Sequence, residues 1–127
     1  MKKFLTLAVV LTSFVLVSCK KEAAPLPVVT VPTDINVEYR VYGESGHLNI
    51  QYTMPDNGQI TNPSMLVDRT NYSVAFNWKS GQELSISASN ATPSGKEVKV
   101  EIYVNGTLYK TGLANSPNAI ATATGRY

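Results

Sequence analysis

The chain has 127 residues, with eleven Lys/Arg against nine Asp/Glu, one cysteine and one histidine. A formal charge of +2 leaves no basic field of the kind nucleic acid requires, so no nucleic-acid partner is expected. One cysteine excludes an internal disulfide, and a single histidine leaves no set for an HExxH or Cys/His metal centre.

Lys2 and Lys3 form a basic start, and Phe4 to Val17 is an apolar run interrupted only by Thr6, Thr12 and Ser13. As a helix, these 14 residues would cover about 21 Å, short of a hydrocarbon core of about 30 Å. The pattern predicts a signal peptide over residues 1–18, with a buried helix or a short membrane anchor as the other readings of the run. Leu16-Val17-Ser18-Cys19 resembles the lipobox of bacterial lipoproteins. The resemblance implies that Cys19 is lipidated: its thiol joined to diacylglycerol, the signal cut before it, and the new N-terminus acylated. Each buried CH₂ then contributes about 0.8 kcal/mol, and more than one chain makes the anchoring stable. Lys20 stands where Asp signals inner-membrane retention in many such proteins, so the resemblance implies an outer-membrane lipoprotein. Either leaflet, periplasmic or surface, fits. Without Lys2 and Lys3 nine charges of each sign remain, and the 109 residues from Cys19 onward are enough for one domain.

Residues 19–33 carry Pro25, Pro27 and Pro32, which forbid helix and central strand and predict an extended tether. From residue 34 to 127 the period is two. Ile35, Val37, Tyr39 and Val41 alternate with Asn36, Glu38, Arg40 and Tyr42, the pattern of a half-buried strand. Gly43-Glu44-Ser45-Gly46 turns the chain. Leu48, Ile50, Tyr52 and Met54 then point inward, and Pro55-Asp56-Asn57-Gly58 is the next turn. Gln59 to Asn71 carries the weakest pattern, with Met65-Leu66-Val67 as a short strand. Tyr72, Val74, Phe76 and Trp78 alternate again, and so do Leu84, Ile86 and Ala88.

Glu97 to Thr111 reads as a hairpin with Asn105-Gly106 at its tip, because both central residues of a type I′ turn need positive φ. A two-residue loop sets Val104 against Thr107, Tyr103 against Leu108, Ile102 against Tyr109 and Glu101 against Lys110. Ala119 to Thr124 ends the set. About seven short strands predict an all-β fold, an Ig-like antiparallel β-sandwich.

Val37-x-Tyr39-x-Val41-x-Gly43, Ile50-x-Tyr52-Thr53, Leu84-x-Ile86-x-Ala88-x-Asn90 and Val100-Glu101-Ile102-Tyr103-Val104-Asn105-Gly106 together resemble the MmpS family. These are small membrane-anchored proteins with an extracytoplasmic β-sandwich that assist MmpL transporters of lipids and siderophores. The resemblance spans residues 36–124. It implies an envelope protein or transporter as partner. The family's cysteine pair aligns with Val100 and Ala123, its tryptophan with Tyr72, and its membrane helix is replaced here by the lipid-type anchor.

No catalytic residue, metal ligand or cofactor is expected. His47 lies beside a turn on a solvated face, and Asp56-Asn57-Gly58 lacks the alternating acids of a calcium loop. What remains is a possible recognition patch, Tyr42, Tyr103 and Leu108, predicted on outward faces. The expected function is therefore binding without catalysis, as a lipid-anchored accessory protein. A surface adhesive or carbohydrate-binding module is the alternative.

Overall fold

The computed structural model describes residues 33–44, 46–57 and 59–127. The signal run, Cys19, the tether up to Pro32, and the turn residues Ser45 and Gly58 lie outside the described residues.

Ten strands follow in chain order: β1 Asp34–Gly43, β2 Leu48–Tyr52, β3 Met54–Asp56, β4 Gln59–Thr61, β5 Ser64–Val67, β6 Asn71–Lys79, β7 Glu83–Asn90, β8 Val98–Val104, β9 Thr107–Ala114 and β10 Ala121–Arg126. They form a four-stranded sheet ordered β6-β1-β8-β9, a second ordered β10-β7-β2-β5, and a small β3-β4 ribbon. Every pairing is antiparallel. Strands β7 and β10 pack across onto β8, so the two large sheets make a β-sandwich. Met65-Leu66-Val67 does lie on a strand, β5, and the count exceeds the expected seven chiefly because β2 breaks at Thr53 and the chain then makes the small β3-β4 ribbon.

Alternation decides which face of each strand is covered. Val37, Tyr39 and Val41 of β1 and Val100 and Ile102 of β8 are fully buried against Leu84 and Ile86 of β7 and Leu48 and Ile50 of β2. Each such side chain contributes roughly 1.5–3 kcal/mol by leaving water. Tyr39 also carries a polar link between the layers. Its hydroxyl lies 2.9 Å from Thr53 Oγ1 and accepts the Ser85 backbone N–H at 3.2 Å. Burial pushes its hydroxyl pKa up, so it remains a neutral hydrogen-bonding group.

The β8–β9 hairpin has the expected tip, with φ of 50° at Asn105 and 78° at Gly106. Val104 faces Thr107 and Tyr103 faces Leu108, as the turn dictates. Beyond that pair the expected register fails. A β-bulge intervenes, so Ile102 faces Lys110 and Glu101 faces Thr111, leaving Tyr109 as the extra residue. The bulge has a packing cause. It frees Tyr109 to donate its hydroxyl to the Arg126 carbonyl at 2.9 Å and to set its ring against Tyr127. Strand β9 is thereby tied to β10.

Among the described residues the sandwich is closed on that side and less completely covered on the other. At Gly112 of β9 an added Cβ would stand 2.1 Å from the Thr122 carbonyl oxygen of β10, so the two backbones touch. Along the opposite side run β6 and β5. There the inward residues Tyr72, Val74, Phe76, Met65 and Val67 are only half-buried.

Candidate functional site

The outer face of the first sheet carries a ladder of charges and rings. Register sets Glu38 of β1 opposite Tyr103 of β8, Arg40 opposite Glu101, and Tyr42 opposite Lys99. Sign alternates along both strands, and the side chains link diagonally as well as across. Arg40 grips Glu38 through two bonds, Nε to Oε1 at 2.7 Å and Nη2 to Oε2 at 2.8 Å. Its guanidinium also sits 4.1 Å over the Tyr103 ring. Tyr103 donates its hydroxyl to Glu101 Oε2 at 3.1 Å, and Lys99 Nζ lies 3.0 Å from Glu101 Oε1 and 4.6 Å over the Tyr42 ring.

The charge states follow from these contacts. The Arg40 hydrogen bonds hold the Glu38 carboxyl below its usual range, and the same bonds raise Arg40. The Glu101 hydrogen bond raises Lys99. Desolvation, then the bond to Glu101, raises the Tyr103 hydroxyl. Glu101 is 8 % exposed, an acid folded under its own partners. The face is a satisfied network, its rings already covered on one side by cations.

The expected patch is therefore only partly assembled. Tyr42 and Tyr103 do share the outer face, but the Arg40–Glu101 rung separates them. Leu108 lies opposite Tyr103 on β9 and is 49 % exposed. The expected Glu101–Lys110 pair does not form, because the bulge moves Lys110 one step along and Lys99 takes its place. The i,i+2 patterns Glu38/Arg40 and Lys99/Glu101 were visible in the sequence. Their meeting was not, since β1 and β8 are far apart in the chain.

At the β6 end of this face is a depression of about 340 Å³ lined by Arg40, Tyr42, Arg69, Asn71, Tyr72 and Ser73. Arg40 is balanced there by Glu38. Arg69 forms no ion pair with any described residue, and the neighbouring Asp68 is taken by His47 Nδ1 at 2.5 Å. Desolvation raises the Tyr72 hydroxyl, which lies 3.1 Å from that of Tyr52.

The second sheet presents a different surface. Its rungs read Thr122, Ser87, Gln51, Ser64 and, one step away, Thr124, Ser85. Beside them a groove of about 430 Å³ is lined by Gln51, Thr53, Ile60, Asn62, Glu83 and Ser87 among others. It offers hydroxyl and amide groups with one carboxylate. Among the described residues, no three His, Cys, Asp or Glu side chains stand together as a metal site. No protein-family model matches this chain, and no curated protein matches it.

Proposed function

We propose that the protein is a lipid-anchored extracytoplasmic binding protein of the cell envelope, non-catalytic, with a resemblance to MmpS proteins that makes an envelope transporter its candidate partner. The observation that carries this reading is Leu16-Val17-Ser18-Cys19, the chain's only cysteine at the end of an apolar run and one Pro-rich stretch before β1. One feature supports it. Val100 and Ala123, which align with the MmpS cysteines, are both buried on strands that pack together across the layers.

The test is fractionation of Cys19→Ser with fatty-acid labelling. The wild-type chain is expected in the outer-membrane fraction carrying label. The variant is expected unlabelled and mislocalised, with unchanged thermal unfolding. A variant that fractionates like wild type contradicts the proposal.

A second reading, a carbohydrate-binding module, is favoured by the hydroxyl and amide groove at Gln51, Thr53 and Ser87, whose donors and acceptors suit a neutral glycan. Glycan-array binding abolished by Ser87→Trp and retained by Tyr103→Ala would establish it, and an array without signal rejects it.

A further inference from the structure

Among the described residues the sandwich has four lateral edges, and three are blocked. Strand β9 is bulged at Tyr109 and touches β10 at Gly112, which closes both of those edges together. Strand β5 has four residues. Strand β6 is the exception: nine residues without bulge or proline, hydrogen-bonded among the described residues to β1 alone, with β3 packed against it, and uncharged until Lys79 at its end. Natural sheets protect such edges with charges, prolines, bulges or brevity. None of these four protects β6 between Asn71 and Asn77, although β3 packs against the strand.

Two more features converge there. The side chains that β6 turns inward, Tyr72, Val74 and Phe76, are only half-buried, and Met65 and Val67 across the opening are in the same state. An added strand would lower every second side chain into this apolar seam. At the start of the same edge lies the depression with Arg69, which forms no ion pair with a described acid. Backbone, seam and cation together describe one ligand.

We propose that the β6 edge receives an extended segment of a partner protein, which joins the first sheet as a fifth strand, places alternate apolar side chains in the seam and brings a carboxylate to Arg69. This deepens the binding-protein reading and rests on it, but not on the lipid anchor. Main-chain hydrogen bonds supply affinity in such strand addition, and side-chain pockets supply selectivity. The cation favours an acidic segment over a neutral or basic one.

The test uses the full chain in detergent micelles and an acetylated seven-residue peptide alternating Thr and Val and ending in Asp. Controls are the same peptide ending in a Lys amide and the Arg69→Glu chain, altered at an exposed side chain. Strand addition is read as slowed hydrogen exchange at alternate amides of residues 71–77. The Asp peptide is expected to give this protection, the Lys peptide to bind about tenfold more weakly, and Arg69→Glu to invert that preference. Three results overturn the proposal. One is an absence of protection in β6 with any peptide. Another is shifts at Arg69 without protection, which marks an anion site alone. The last is protection that rises with protein concentration in the absence of peptide, which makes a second copy the occupant. A Cys19→Ser chain that remained in the membrane would sink the anchor and leave this result standing.

Discussion

Tyr39 is the residue on which the two layers depend in both of their currencies. Its ring is fully buried between Tyr52, at 5.7 Å, and Phe76, at 5.2 Å, both edge-on. Its hydroxyl satisfies groups of the opposite layer at Thr53 and Ser85. Tyr39→Phe keeps the ring and removes the bonds. Because the Ser85 N–H retains Thr53 Oγ1 at 2.9 Å, we expect a loss of about 0.5–1.5 kcal/mol, read from the urea midpoint at unchanged slope. Glu38 gives a pH signature. Its folded pKa lies below the ordinary 4.5, so the unfolded chain binds the proton more readily between the two values. Its contribution is present above 4.5 and is lost as pH falls through the folded value. Glu38→Gln should therefore flatten part of the acid limb of the stability curve. Both partners are partly exposed, so the difference should stay below about 1 kcal/mol.

The β8–β9 hairpin shows how an element is specified at one end by its turn and at the other by its neighbour. Asn105 and Gly106 supply positive φ and enforce the pairing of Tyr103 with Leu108. Nothing local demands the next step. The bulge arises because Tyr109 finds the Arg126 carbonyl and the Tyr127 ring on another strand. The same closure makes Gly112 costly to replace, because the atom a Cβ would meet is backbone and cannot swing away. Gly112→Ala should cost about 1–3 kcal/mol in thermal or urea unfolding, with loss of hydrogen-exchange protection concentrated in β9 and β10. Strand alternation itself was readable. Ile35, Val37, Tyr39, Val41, Leu84, Ile86 and Ala88 are all buried where a period of two puts them. Tyr72, Val74 and Phe76 obey the same period yet stay half-buried, because among the described residues their strand is the edge of its sheet, hydrogen-bonded on one side to β1.

At the scale of the molecule, the central strand of the first sheet joins partners distant in the chain. Strand β1 pairs with β6 on one side and β8 on the other, and β2 pairs with β7. Such non-local pairing must bear loop-closure entropy before contacts compensate it. Refolding after denaturant dilution should accordingly take milliseconds to seconds, roughly, rather than microseconds. Stopped-flow fluorescence of Trp78, buried at the end of β6, reports it.

Sequence by itself determined the period-two patterning, the inward side chains, the turn at Asn105-Gly106 and the all-β class. Each of these depends on neighbours within a few residues, where side-chain direction and φ preference suffice. Only the tertiary structure decided which outward residues meet. The Glu38–Arg40–Tyr103–Glu101–Lys99–Tyr42 ladder needs the β1–β8 register, and that register is decided by burial on the opposite face of both strands. That β6 is an edge among the described residues was equally invisible, because an edge is defined by what stands beside a strand in space. Alternation reads the same in a strand whether or not a neighbour stands there.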